Sequence, residues 1–424
     1  MGRPKKAQPA IEKPPAKLPG TLDLVVEQHR TWDFFLHKLF ELAQTFGYQR
    51  VDCSLVEDAR LFKPWEQAGG ELVVFADTKG TRLAVKPLNL FGLARMYLDY
   101  RFFEKEKSSK WCYVSPIAFI RNGQIMQSHE FGFQVFGETS PIVDAQMINM
   151  LLKLFTELEL KNVSLEINNI GCLECLPAYQ EVLRGFYKEK KYDLCEQCLE
   201  DLERNPVNIL ACANLSCSTV STEAPVLIDY LCENCRKHFI KVLEGLDELS
   251  IPYNLNQKVI GKPWSRKTVF EIRSSTEKGE VVLGQGCHAD DLLQSMAGPI
   301  VQALGFSATI EAILSAFEEA EVRVNQQHKA DVYLVPLGDL AAKKTLKLFS
   351  ELWSNNIVAS EFIGPGSIKT QLKLAESNKV SIALIIGQKE ARDGTVILRD
   401  VRSGMQELFE ASRIIEEVKK RLGK

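Results

Sequence analysis

Over residues 21–50, Trp32, Phe35, Leu36, Leu39, Phe40 and Ala43 recur at intervals of three and four. That spacing predicts an amphipathic helix. Gly47-Tyr48 ends it, and a strand is expected over 49–56. Leu72-Val73-Val74-Phe75, the turn Lys79-Gly80-Thr81 and Arg82-Leu83-Ala84-Val85 read as a hairpin. The pattern then predicts a helix over 89–99, strands over 110–120 and 130–136, a helix over 142–158 and a short strand over 165–169. Residues 171–250 differ: they are helical in period, charged and rich in cysteine, and are set apart as an insertion. Strands are expected again over 267–274 and 280–284, with helices over 290–304 and 309–320. A polar linker follows at 323–329. From Asp331 the period alternates between strand (331–336, 358–363) and helix (340–355, 368–377). Ser381-Ile382-Ala383-Leu384-Ile385-Ile386 is a continuous apolar run, suited to a strand buried on both faces.

At 424 residues the chain is long for one core, so several domains are expected. The divisions read as a Pro/Lys-rich basic tail at 1–20, a core formed by 21–170 and 251–322, the insertion at 171–250, and a C-terminal α/β unit at 330–424. The tail cannot bury enough apolar surface to offset its ordering entropy and is expected to be disordered. A net charge of −3 gives no global attraction to nucleic acid, so any RNA contact must come from local basic patches. No apolar run is long enough to span a membrane, and the first residues carry no secretory apolar stretch. The expectation is a cytoplasmic protein whose eleven cysteines stay reduced.

Eight of those cysteines fall in short-spaced pairs: Cys172 and Cys175, Cys195 and Cys198, Cys212 and Cys217, Cys232 and Cys235. A two-residue gap lets one tight turn present two thiolates, and four thiolates satisfy a tetrahedral zinc ion. The pairs therefore suit one or two structural zinc sites, and the spacing leaves open which pairs join. All-thiolate sites have no open position for water, so the metal would be structural. Cys53, Cys112 and Cys287 stand alone and read as core positions, and His129 and His288 read as packed or hydrogen-bonded rather than catalytic.

Two runs carry a resemblance. Gln127-Ser128-His129-Glu130-Phe131-Gly132-Phe133-Gln134-Val135-Phe136-Gly137, and Leu165-Glu166-Ile167-Asn168-Asn169-Ile170-Gly171, resemble the catalytic domain of class II histidyl-tRNA synthetases. The segment Leu202-Glu203-Arg204-Asn205-Pro206 with the cysteine pairs is similar to the insertion of many bacterial members. The strand ending Val335-Pro336-Leu337-Gly338 and the segment Ser367-Ile368-Lys369-Thr370-Gln371-Leu372-Lys373 are similar to that family's anticodon-binding domain. The resemblance covers nearly the whole chain from residue 20. It implies an α+β fold with a class II synthetase-like antiparallel sheet and helices, a helical cysteine-rich insertion and a C-terminal anticodon-binding-like domain. It also implies a homodimer through the first helix and strand, although the proline usual in that strand is Ser54 here.

The charged positions of that family are replaced. The strand arginine that would meet ATP is Phe119, with Arg121 at the neighbouring acidic position, and the arginine after the Gly-Phe-x-x-Gly frame is Ala312. The carboxylate that would hold the histidine amine is Leu88, and the acidic position after His-x-x-Gly is Gln134. The run that supplies a catalytic arginine reads Ile260-Gly261-Lys262-Pro263-Trp264-Ser265, with Ile260 at the arginine. The Gly-Gly-Arg-Tyr-Asp run is Gly286-Cys287-His288-Ala289-Asp290. Adenylate formation needs cations against developing negative charge. Losing one such group costs roughly 10²–10³ in rate. Lys86, Arg121, Arg266 and His288 are the candidate substitutes, and each would have to reach the same point from another backbone position. No confident catalytic residue remains, and ATP binding is left in doubt.

In the C-terminal unit Lys343, Lys344, Lys347, Lys369, Lys373, Lys379, Arg392 and Arg399 are candidates for RNA phosphate contacts. Phe362 suits stacking on an unpaired base or a place in the core. The first expectation is a catalytically degenerate paralogue that binds tRNA or a protein partner. The rivals are an active histidine–tRNA ligase with a rebuilt pocket, and a regulatory subunit of ATP phosphoribosyltransferase in histidine biosynthesis.

Overall fold

A computed structural model describes residues 16–138, 140–276, 279–320, 322, 330–361 and 367–423. Most of the basic tail, the linker at 323–329 and Phe362 lie outside them. The chain separates into two compact units, Met1–Val324 and Asn325–Lys424.

The first unit is built on a nine-stranded sheet. Its long strands run Ser109–Arg121, Gln124–Phe136, Ala303–Thr309, Gly279–His288, Arg266–Thr276 and Val163–Asn169 in spatial order, all antiparallel to their neighbours. Gln49–Arg50 and Asn254–Leu255 add short parallel edges. The expected strand over 49–56 is split. Its first residues join this sheet, and the chain pairs again at Val56–Asp58 in a separate three-stranded sheet with the hairpin Val74–Ala76 and Arg82–Val85.

Successive side chains of a strand point to opposite faces. On one face Phe131, Phe133, Val135, Leu304 and Phe306 pack under the helices Val26–Thr45, Ile142–Glu157 and Ile310–Glu319. The rings of Phe270 and Phe306 lie parallel at 6.1 Å. Each fills space left by a glycine: a Cβ on Gly286 would meet the Phe270 ring at 2.2 Å, and one on Gly284 would meet Phe306 at 2.2 Å. The other face carries Glu130, Gly132, Gln134, Gly305 and Ser307, and its cover is thinner. The helix Asn89–Asp99 and an aromatic cluster of Trp111, Tyr97 and Phe136 close one end.

The helix expected over 290–304 is corrected. Only Leu292–Ser295 is helical, and Ala303–Thr309 is a central strand. Ala297 turns to φ +60°, and Gly298-Pro299 follows. Proline disfavours helical backbone in the residue before it. The buried, alternating run that follows is claimed by two strand neighbours at once.

The region expected as a helical insertion contains the helices Cys175–Glu189, Glu196–Arg204, Leu215–Ser221 and Glu233–Glu248. They form a second core around Tyr179, Leu183, Tyr187, Cys198 and Cys217. The last helix belongs to both cores, because Phe239, Val242 and Leu246 pack beneath the main sheet.

The second unit has a five-stranded sheet in the order Ala359–Glu361, Val332–Pro336, Ile382–Ile386, Thr395–Asp400, Gln406–Glu410. The first three strands are parallel and the last two antiparallel. Ile382–Ile386 is buried at every residue, as its unbroken apolar run requires. Asp339–Ser354, Gln388–Asp393 and Ile414–Leu422 cover one face, and Ile368–Ser377 covers the other.

Candidate functional site

The thinly covered face of the large sheet holds a cavity of about 370 Å³. Its floor is the alternate set of strand residues, among them Glu130, Gln134, Gln285, Cys287, Gly305 and Ser307. Its walls come from the loop 259–265 and from the start of the helix Asn89–Asp99. Aromatic rings dominate one side. Trp65 meets Phe119 edge-on at 5.9 Å, and Trp264 lies 6.4 Å from Trp65 and 5.2 Å from Phe91.

Four of the five replaced positions, Leu88, Phe119, Gln134 and Ala312, line this cavity. The fifth, Ile260, does not: it packs against the apolar core of the insertion. An apolar side chain there is drawn to buried surface rather than to the cavity. Gln134 is committed to the backbone, donating from Nε2 to Leu304 O at 3.0 Å.

None of the four candidate substitutes lines the cavity. Lys86 is fully buried, and its Nζ donates to Ser115 Oγ at 2.7 Å and to Cys53 O at 3.2 Å. Arg121 stands at an exposed strand end with its guanidinium 5.3 Å above the Phe119 ring. Arg266 is held by Asp291 at 2.6 Å and by the carbonyls of Pro263 and Ser265 at 3.0 and 2.6 Å. His288 faces the other way, with Nε2 2.8 Å from Asp144 Oδ1. Among the described residues no arginine lines the cavity, and Lys262 is its only lysine.

Glu130 is a buried carboxyl group in the cavity lining. Its Oε1 accepts from Asn89 N at 3.0 Å, Asn89 Nδ2 at 3.1 Å and Tyr113 Oη at 3.1 Å. Burial pushes its carboxyl above the ordinary value, against the pull of those donors. Burial likewise holds the Tyr113 phenol well above its ordinary value. Sequence reasoning passed over Glu130 as a site residue although it stands in the quoted motif beside His129. His129 itself is hydrogen-bonded as expected: its ring nitrogen lies 3.1 Å from Glu311 Oε1, and its ring packs edge-on against Trp32. Of the lone cysteines, Cys112 is core, Cys53 is half-buried beside Lys86, and Cys287 forms part of the cavity floor.

The eight paired cysteines converge as two sets of four. Cys172 and Cys175 meet Cys232 and Cys235, and Cys195 and Cys198 meet Cys212 and Cys217. The outer set closes the ends of the insertion and the inner set closes its middle. Sulfur separations of 3.7 and 3.9 Å in the outer set, and 3.9 Å in the inner, suit a tetrahedron with metal–sulfur bonds of about 2.3 Å. Backbone N–H groups donate to the sulfurs, from Cys232 to Cys175 Sγ at 3.1 Å and from Cys195 to Cys217 Sγ at 3.2 Å. Such donors steady thiolates around an ion. The backbone N–H of Cys198 is the leading cause that brings the Cys195 thiol down to about 7.

The lysines proposed for RNA do not form one surface. Lys343, Lys344 and Lys347 are exposed on the helix Asp339–Ser354, and Lys369 and Lys373 on Ile368–Ser377. Those helices cover opposite faces of the C-terminal sheet. Lys347 also lies 3.6 Å from Glu351.

The sheet, its cavity and the separate C-terminal α/β unit define a class II aminoacyl-tRNA synthetase-like protein of the α+β class. Residues 20–249 match the family described as "Histidyl-tRNA synthetase", and residues 331–421 match "Anticodon binding domain". The chain is 30% identical over 412 residues to a histidine–tRNA ligase of Dehalococcoides mccartyi, which covers 95% of this chain and 99% of the relative. It is 28% identical over 413 residues to that of Thermodesulfovibrio yellowstonii, covering 95% and 98%. The chain belongs to the histidyl-tRNA synthetase family. In fold it is similar to apo S. aureus histidyl-tRNA synthetase, with a TM-score of 0.80, 24% identity, and coverage of 95% of this chain and 100% of that one. It also matches a Bacillus halodurans C protein titled "ATP phosphoribosyltransferase regulatory subunit/histidyl-tRNA synthetase", with a TM-score of 0.63, 17% identity, and coverage of 90% and 99%.

Proposed function

We propose that this chain is a histidyl-tRNA synthetase paralogue that no longer forms histidyl-adenylate and acts by binding tRNA or a protein partner. The observation that carries this reading is the cavity wall. Leu88, Phe119, Gln134 and Ala312 line it, while Lys86, Arg121, Arg266 and His288 are engaged elsewhere. A site for ATP needs preorganised cations aimed at the phosphates. One lysine beside aromatic rings does not supply that. The match to an anticodon-binding domain supports tRNA as the partner, and the family supports a homodimer. The two sets of four thiols would each hold a structural zinc ion, with no ligand position left for chemistry.

A second reading is an active ligase with a rebuilt pocket. Lys262 and Glu130 in the cavity favour it, and the full-length relatives bear the ligase name. The regulatory-subunit reading is weaker, because this chain carries the anticodon-binding match as well.

Histidine-dependent exchange of pyrophosphate into ATP separates the first two readings, with a ligase relative as positive control. The expected result is exchange at background, with tRNA retained on a filter by the same protein. Exchange above background would overturn the proposal and direct attention to Lys262.

A further inference from the structure

Beneath the sheet, on the side away from the cavity, three side chains from distant parts of the chain converge. Asp144 stands in the first turn of Ile142–Glu157, His238 on Glu233–Glu248, and His288 at the end of Gly279–His288. One ligand atom from each lies within 4.8 Å of the others. His288 Nε2 is 2.8 Å from Asp144 Oδ1, and His238 Nε2 is 3.8 Å from Asp144 Oδ2. The side chains of Asp144, His288 and His238 are 1%, 4% and 11% exposed. Asp144 Oδ2 and both ring nitrogens of His238 are buried without a hydrogen-bond partner. A buried polar atom left without a partner has lost its water and gained nothing in exchange, so three such atoms gathered in one place require a reason.

We propose that Asp144, His238 and His288 form a third metal site, a two-histidine, one-carboxylate centre for a divalent transition metal of the zinc type. The donor set is of the kind that zinc takes from proteins. His288 has the outer partner that ligating histidines use: its Nδ1 faces Asp290 Oδ1 at 3.4 Å, which fixes Nε2 as the ligand atom. Asp290 is in turn held by Lys267 at 2.7 Å. A tetrahedral ion with bonds of about 2.0–2.1 Å asks for ligand separations of about 3.3 Å, so filling the site draws the two rings inward. The ion would tie the last helix of the insertion to the main sheet. Without an ion, His288 lies between the carboxylates of Asp144 and Asp290, with the His238 ring packed edge-on beside it.

The test is metal content per chain, measured by mass spectrometry on untagged full-length protein purified in zinc-supplemented medium. Wild type is expected to hold one equivalent more than His238→Ala. The family's run has arginine where this chain has His288, so His288→Arg places a cation against Asp144 but cannot ligate; it is expected to lose the same equivalent while its circular dichroism stays that of wild type. The difference does not depend on how far the thiol sets are filled, nor on whether the cavity is active. Equal metal content in wild type and both variants would overturn the proposal. Iron in place of zinc in the lost equivalent would keep the site and change its metal.

Discussion

The insertion and the cavity lie on neighbouring parts of one unit, and they have kept different things. In the insertion, eight thiols stand in two sets with sulfur spacings suited to an ion. In the cavity, the positions that the resemblance marks as charged in the family hold Leu88, Phe119, Gln134 and Ala312. Exchanging thiols that pack inside a small helical core would disturb that core. Charges that act only on a reacting ligand are expendable once the reaction is, and burying them without a ligand costs free energy. The difference is the one expected if, as proposed, the architecture is retained and adenylate chemistry is not.

The largest expected effect is on the insertion. Binding of structural zinc is folding free energy, about 10–16 kcal/mol in small zinc-dependent peptides. Removing metal with a strong chelator should therefore abolish much of the helical circular dichroism of the insertion and lower Tm steeply. Cys198→Ala should reproduce part of this, through the inner set alone. An unchanged melt after metal analysis reads zero would end the account of the thiol sets.

A smaller effect is expected in the cavity. Phe119→Arg returns the family's residue to its position. It removes an edge-on contact with Trp65, and aromatic pairs of this kind are worth about 0.5–1.5 kcal/mol. The variant should melt slightly below wild type and leave pyrophosphate exchange at background, because Leu88, Gln134, Ile260 and Ala312 are still replaced. Exchange restored by this one change would mean that the chemistry was nearly intact, and the contrast with the insertion would fail.

The smallest effect concerns Glu130. Burial raises its carboxyl above the ordinary 4.5, so the folded state prefers it protonated. The stability it contributes is complete below pH 4.5 and declines as pH rises through the folded value. Glu130→Gln keeps an acceptor for Asn89 and Tyr113 and cannot ionise. It should melt marginally above wild type at neutral pH, with the gap closing as pH falls through the folded value and gone below the ordinary 4.5. If Glu130→Gln instead melts below wild type at neutral pH, the ionised carboxylate is wanted there, which favours a cationic ligand in the cavity.

Periodicity by itself was enough for most elements. The helices Val26–Thr45, Asn89–Asp99 and Ile368–Ser377, and the long strand Ser109–Arg121, follow from local spacing of apolar residues, which the backbone geometry of helix and strand dictates; of Gln124–Phe136 only the half from Glu130 was expected. It misjudged Ala303–Thr309, because a short apolar run suits helix or strand until its neighbours are known. Cysteine spacing marked the metal-type residues but not their pairing. The nested sets follow from how the insertion folds back, bringing Cys232 to Cys172 across 60 residues.

The motif order by itself determined the family and suggested which of its charged positions are replaced, since both depend only on residue identity along the chain. The tertiary structure decided what the remaining charges do. It turned Lys86 into the core, bound Arg266 to Asp291, aimed His288 at Asp144 and parted Lys343 and Lys347 from Lys369 and Lys373 on opposite faces of a sheet. It also brought His238 to Asp144, although nothing in the local spacing of either marks the meeting. The physical reason is the same in each case. A side chain's reach is a few ångströms, so its partner is set by strand register and helix packing, and those are properties of the whole fold.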